Sequence, residues 1–308
     1  MIKKILITGS NGMLGKNIIK DKRSKKYKIS KISRDKIDLK DQKKLMTYLK
    51  KVKPDLIIHC AAKVGGIGDN YKKNLEYFRE NNEINNSVII SAKLLGIKNL
   101  INFGSSCMYP ALAKKPLREK SISIKGLEKT NEGYALSKIM SLQICKMINR
   151  EKNYKYKTLI PCNLYGPYDN FSLEKGHMIQ SAIKKIYNAK RKKLSSIEMW
   201  GTGKAKREFM YIQDLVDFIF KIIQNFSTTP DVINVGTGKE YSIKKYYKTI
   251  FKILKFNPKI VYLKNMPEGQ MSKVLDVKNS KKLDWSSKID LQNGIKKTIE
   301  YFIKNYEN

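Results

Sequence analysis

Histidine, cysteine and acidic residues are all scarce in this 308-residue chain. It has two histidines, His59 and His177, and four cysteines, Cys60, Cys107, Cys145 and Cys162. No two cysteines form a C-x-x-C pair, so the ligand spacing of a structural zinc site is missing and no metal is expected. A disulfide framework is equally foreign to a chain of this length without secretion signals. No window approaches 18 consecutive apolar residues, the length needed to cross a bilayer. The opening Met1-Ile2-Lys3-Lys4, followed by Ile5-Leu6-Ile7, reaches Gly9 too soon to form the apolar core of a signal peptide. The expectation is a cytoplasmic protein with no membrane association.

Aspartate and glutamate together number 27, against 63 lysines and arginines, for a formal charge of +36. Such an excess ordinarily suggests a nucleic-acid partner. The distribution argues otherwise. Only Arg23, Arg34, Arg79, Arg118, Arg150, Arg191 and Arg207 are arginine, and the lysines are scattered over every helical segment. Nucleic-acid sites lean on the planar fork of arginine. The excess therefore reads as a solvated lysine-rich surface, and no specific nucleic acid is expected.

What the chain does have is a core's worth of short apolar runs, with 41% hydrophobic residues. Lys3–Thr8, Tyr27–Ser33, Asp55–Cys60, Asn99–Phe103 and Tyr156–Ile160 read as buried strands. Segments of helical period, including Lys16–Arg23, Lys43–Lys51, Asn81–Leu95 and Tyr134–Asn149, stand between them. Strands alternating with helices predict an α/β fold, a Rossmann-type doubly wound parallel sheet, whose ligands sit at the carboxyl ends of the strands. Beyond about residue 165 the pattern loosens, with loops at Gly166–Phe171, Gly201–Gly203 and Pro267–Gly269. We expect a nucleotide-binding domain over residues 1–165, with a returning segment near 205–240, and a smaller, discontinuous α/β substrate-binding domain over 166–308.

The first strand runs into Gly9, Gly12 and Gly15, a G-x-x-G-x-x-G turn that opens a helix. Glycines there permit the tight turn, let the backbone approach a pyrophosphate, and allow close helix packing. Cofactor choice is read at the end of the second strand, in Ser33-Arg34-Asp35. Arg34 favours the 2′-phosphate of NADP(H), with Lys31 able to assist; the alternative is a solvated arginine beside Asp35.

Tyr134 and Lys138 are four residues apart on an expected helix and so project from one face. A tyrosine is a poor proton donor near neutrality unless a cation lowers its pKa, and Lys138 is the expected cation. Upstream, the fourth strand ends in Gly104-Ser105-Ser106-Cys107-Met108-Tyr109. Ser105 there can hydrogen-bond a substrate carbonyl beside Tyr134. Cys107 in a polar loop can act as a base once a neighbouring cation lowers its pKa; a buried, inert thiol is the alternative. Cys60, Cys145 and Cys162 are expected in the core.

Several runs together carry a family likeness. Ala61-Ala62-Lys63-Val64-Gly65-Gly66-Ile67, Gly104-Ser105-Ser106-Cys107-Met108-Tyr109-Pro110, Asn131-Glu132-Gly133-Tyr134, Asn163 to Phe171, Trp200-Gly201-Thr202-Gly203 and Arg207-Glu208-Phe209 span nearly the whole chain. In these runs the chain resembles the GDP-L-fucose synthase family of extended short-chain dehydrogenases. The resemblance implies epimerisation of GDP-4-keto-6-deoxy-D-mannose at C3 and C5, then NADPH reduction at C4. It gives reduction to Ser105, Tyr134 and Lys138, and epimerisation to Cys107 and His177. On its own residues, His177 reads as a surface histidine. The cofactor residues implied are Gly9, Gly12, Met13, Gly15, Arg34, Ala61, Ala62, Lys138, Asn163 and His177, and Lys185, Trp200, Arg207 and Lys273 line the GDP-sugar site. A homodimer is also implied.

Two positions depart from the family pattern. Gly133 stands where proline is frequent, a change expected to matter little, and Asn11 where the turn often carries a basic residue, which leaves Arg34 more alone in selecting NADPH. The rival readings are another nucleotide-linked keto-sugar epimerase or reductase and, more distantly, a non-catalytic cofactor- or RNA-binding protein, since fold does not fix function.

Overall fold

The computed structural model describes residues 2–173, 176–266 and 269–306. Glu174 and Lys175, in the expected loop before His177, and Pro267 and Glu268, in the expected 267–269 loop, lie outside the described residues.

The first half alternates as expected: β1 (Lys4–Thr8), α1 (Met13–Lys20), β2 (Lys28–Ile32), α2 (Gln42–Val52), β3 (Leu56–His59), α3 (Ile67–Lys72), α4 (Asn74–Leu94), β4 (Asn99–Phe103), α5 (Glu132–Asn149) and β5 (Lys155–Pro161). There follow β6 (Asn163–Tyr165), α6 (Met178–Arg191), β7 (Ser196–Trp200), β8 (Lys206–Arg207), β9 (Phe209–Tyr211), α7 (Ile212–Gln224), β10 (Val232–Val235), β11 (Tyr241–Ser242), α8 (Ile243–Leu254), β12 (Lys259–Leu263), α9 (Lys278–Lys281) and α10 (Leu291–Tyr306). Ile5, Leu6 and Ile7 are all buried, as are Leu56, Ile57 and Ile58. Unbroken apolar runs of this kind belong to strands covered on both faces. Each such side chain contributes about 1.5–3 kcal/mol by leaving water.

Six strands form one sheet in the order β10-β5-β4-β3-β1-β2, with every neighbouring pair parallel. The order reverses at β1, which lies between β2 and β3. In sheets of this type the crevice beyond the carboxyl ends at the reversal is the ligand site. α7 and β10 return to this core, where Phe218, Ile219, Ile222, Ile233 and Val235 share a cluster with Ile5, Ile7 and Ile58. A separate core gathers Tyr165, Phe171, Ile183, Tyr246, Ile250 and Phe302 beneath three small two-stranded sheets.

Two helices start three or more residues from where the periodicity suggests. α1 covers residues 13–20 and is followed by a 3-10 turn at Lys22–Lys26, capped by the Asp21 carboxylate. α4 begins at Asn74, seven residues earlier than expected; of residues 74–80 only Tyr77 is buried, so this stretch shows no apolar period. Among the described residues, no helix is long and apolar enough to cross a membrane. A cleft of about 1260 Å³ opens at the amino edge of the sheet, around Lys3, Lys28, Lys53 and Lys98, away from the glycine turn.

Candidate active site

Gly9 follows β1 at φ +62°, in the region where side chains are strained, and a Cβ there would lie 2.7 Å from the Ala61 backbone. Gly12 caps α1 and its N–H donates to Gly9 O at 3.0 Å. A Cβ on Gly15 would meet Gly9 O at 2.5 Å. The turn is thus packed backbone to backbone on the first turn of α1, where Met13 stands, and on Ala61 and Ala62 just past β3. The glycine turn and the amino end of α1 fit a dinucleotide pyrophosphate.

A buried chain of hydrogen bonds supports this floor, and nothing in the residue spacing announced it. Thr8 Oγ1 is 2.8 Å from His59 Nδ1 and accepts from Ala61 N at 3.3 Å. His59 Nε2 is 3.1 Å from Asn85 Oδ1, and Asn85 Nδ2 donates to Ser137 O at 3.4 Å. Burial, aided by the Lys138 charge, pushes His59 down to about 3, so its ring is neutral. The chain ties the glycine turn to α5 one residue from Lys138.

Arg34 is largely exposed and pairs with Glu80 at 3.6 Å, while Asn11 Nδ2 donates to Asp35 at 3.2 Å. Glu80 also holds Lys63, at 2.7 Å. The Lys63 backbone exchanges two hydrogen bonds with the Asn81 side chain, which accounts for the buried asparagine in α4.

Four of the expected catalytic residues come together. Ser105 caps the 3-10 turn Ser106–Met108, and its Oγ accepts from Cys107 N at 3.2 Å. The Cys107 sulfur lies 3.3 Å from Asn131 Nδ2 and 3.7 Å from Lys273 Nζ. Tyr134 sits in the first turn of α5, close enough to Cys107 to feel its charge, and Lys138 Nζ is 5.7 Å from the Tyr134 ring centre.

The electrostatics correct one expectation. Lys138 does not bring Tyr134 below its ordinary value; burial of the phenol dominates and pushes it up. The strain falls on the lysine, which is 3% exposed and is driven down to about 8 by burial. The unfolded chain, at 10.5, therefore binds more protons here than the folded one between pH 8 and 10.5. Stability from this site grows as pH rises through that window and is lost as pH falls through 8. Without cofactor, Lys138→Met is expected to exceed the parent in stability at pH 7 by roughly 3 kcal/mol, with the gap closing towards pH 10.5. Urea titrations across the window check this.

His177 is not joined to this cluster by a hydrogen bond or ion pair among the described residues. It caps the start of α6 beside buried Asp169, where its charge offsets the burial that raises that carboxyl. Asn163 spends its amide on Glu208 O at 2.9 Å. Lys185 reaches Glu198 O at 3.2 Å, with burial lowering its pKa. Trp200 ends β7 and is 45% exposed, and Arg207 in β8 donates to Gln270 O. Glu208, beside Arg207, is a buried organiser that residue spacing does not reveal: it accepts from Thr237 N at 2.6 Å, Gly238 N at 2.8 Å and Leu275 N at 2.7 Å. Cys145 and Cys162 are core residues as expected, and Cys60 is half-buried against the cluster that holds Cys162.

Gly133 is not a neutral departure. Its N–H donates to Asn74 Oδ1, a bond proline cannot make, and a Cβ would lie 2.1 Å from Asn74 O. Glycine is what allows the starts of α4 and α5 to touch.

A glycine turn at the reversal of a parallel sheet, with a serine, a tyrosine and a lysine gathered at the same edge, defines a dinucleotide-dependent enzyme of the short-chain dehydrogenase type. The chain belongs to the NAD dependent epimerase/dehydratase family, whose model matches residues 5–236. It is 46% identical over 306 residues to the GDP-L-colitose synthase of Yersinia pseudotuberculosis, covering 99% of each chain. To the GDP-L-fucose synthase of Azorhizobium caulinodans it is 36% identical, covering 99% of this chain and 98% of the other. Among solved structures it is similar to MlghC, a GDP-mannoheptose C4 reductase from Campylobacter jejuni with NADP bound, with a TM-score of 0.88, 28% identity and 98% coverage of both.

Proposed function

We propose that this chain epimerises a GDP-linked 4-keto-6-deoxyhexose and then reduces its C4 ketone with NADPH. The observation that carries the reading is the single cluster holding both reductive and epimerising groups: Ser105, Tyr134 and Lys138 beside Cys107. Residues 1–165 with the returning segment near 205–240 hold the cofactor, and residues 166–308 mainly hold the sugar nucleotide. Arg34 and the NADP found in the C. jejuni relative support NADPH over NADH.

The C4 ketone acidifies its neighbouring carbon. Cys107 and His177 remove a proton there and return one on the opposite face. NADPH, when bound, supplies a hydride to C4. Tyr134, with Ser105 beside it, donates the proton to the C4 oxygen, and Lys138 holds the ribose and supplies positive charge. Arg207 and Lys185 meet phosphate oxygens, and Trp200 offers a stacking face. A homodimer completes the reading; α4 and α5 keep Leu75, Leu94, Met140 and Met147 at the surface.

The resemblance in the motifs points to GDP-L-fucose as product. The 46% identity to a GDP-L-colitose synthase, against 36% to a GDP-L-fucose synthase, favours a second reading, in which the substrate lacks the C3 hydroxyl and only C5 is epimerised. Competition between GDP-4-keto-6-deoxymannose and its 3-deoxy counterpart, with products identified by NMR, separates the two. A higher kcat/KM for the 3-deoxy sugar is expected from the closer relationship; the reverse returns the assignment to fucose, and turnover of neither defeats both.

A further inference from the structure

Lys273, which the resemblance puts on the GDP-sugar wall, directs its ammonium at the Cys107 sulfur, 3.7 Å away. The lysine is 8% exposed. Its backbone is pinned on both sides. Lys273 N donates to the Glu240 carboxylate at 3.0 Å, which also accepts from the Ser272 hydroxyl at 2.9 Å. Val274 O accepts from Leu117 N at 2.8 Å, and Leu275 N is held by Glu208. Among the described residues no carboxylate forms an ion pair with the Lys273 ammonium. A buried ammonium is costly without a counter-charge. The acceptor it reaches is a sulfur that becomes anionic on losing its proton.

We propose that Lys273 is a positioning residue for Cys107, holding the sulfur as a thiolate aimed at the sugar carbon, with the Asn131 amide as the second arm of the cradle. This rests on the acid–base role given to Cys107 above. The step balances simply. The thiolate takes the proton from C5, the carbon–hydrogen electron pair moves into the C4 carbonyl to give an enolate, and His177 delivers a proton to the opposite face as the carbonyl re-forms. Cys107 ends as a thiol and His177 neutral, and exchange with solvent resets both. A grip on the GDP phosphates, by contrast, would act on KM and leave the cysteine indifferent to Lys273.

The test uses the full chain and needs no sugar for its first arm. Iodoacetamide alkylation of Cys107 at pH 7, followed by peptide mass mapping, is expected to slow about tenfold or more in Lys273→Met and to recover in Lys273→Arg, because the thiolate is the reactive form. With GDP-4-keto-6-deoxymannose in heavy water, deuterium uptake at C5 falls in parallel while KM changes little. NADPH binding monitors folding, and Lys273→Gln serves if the methionine variant loses it. Unchanged alkylation with a raised KM overturns the proposal in favour of the phosphate grip. Alkylation that depends on Lys273, in an enzyme that exchanges no C5 hydrogen of any GDP-4-keto sugar, upholds the Lys273–Cys107 pairing and defeats the functional reading instead.

Discussion

Replacing Tyr134 by phenylalanine is expected to lower ketone reduction about 100- to 10,000-fold, the range lost when a positioned general acid is removed. The Tyr134 phenol is pushed above its ordinary value by burial, so it remains protonated and able to donate. The substitution deletes only the hydroxyl. Ser105, Cys107 and Lys138 are held by other contacts: Ser105 by its own turn, Cys107 by Asn131 and Lys273, and Lys138 by its place on α5. NADPH affinity is therefore expected to stay within a few-fold, and deuterium uptake at C5 to persist. Stopped-flow loss of NADPH absorbance gives the first quantity and NMR the second. A variant that loses exchange as completely as reduction would show that the two half-reactions share Tyr134.

Gly15→Val is expected to abolish NADPH binding and to cost about 1–3 kcal/mol or more of stability, the penalty for overpacking a tight contact. The new Cβ would stand 2.5 Å from Gly9 O and 2.8 Å from Ser10 Cα, both backbone atoms of the turn proposed to receive the pyrophosphate. Neither atom can swing away as the end of a long side chain can. α1 would have to back off from β1, and the N–H groups of the turn would lose their aim. Gly68 is the matched control: a Cβ there meets nothing within 4 Å, so Gly68→Ala leaves cofactor affinity intact. Urea unfolding and cofactor fluorescence report the two effects.

The parallel sheet was legible because its strands are unbroken apolar runs, and the motifs fell at their carboxyl ends as the topology requires. Tyr134 and Lys138 were legible through helical spacing, Ser105 and Cys107 through their place after β4. What escaped are contacts between distant positions. Asn131 and Lys273 meet Cys107 from 24 and 166 residues away, and no periodicity pairs them. Lys273 was visible only by likeness, and its likeness gave it a different neighbour. The early start of α4 was hidden because only Tyr77 of residues 74–80 is buried, and the roles of Asn81, which fixes the Lys63 loop, and Asn85, which reaches His59, lie in contacts with distant positions. Gly133 looked inconsequential until Asn74, 59 residues earlier, was found against it. The expectation for Tyr134 failed on magnitude: desolvation of two buried groups outweighs the attraction of a lysine 5.7 Å from the ring centre.

The most direct test of the account is one incubation in heavy water. Purified protein, NADPH and a GDP-linked 4-keto-6-deoxyhexose are mixed, and the product is examined by NMR. Consumption of NADPH with formation of an L-sugar carrying deuterium at C5 is the expected result, since it requires both proton exchange by the Cys107 group and hydride transfer under Tyr134. A D-sugar without deuterium would contradict it and make the chain a simple C4 reductase, as its C. jejuni relative is described.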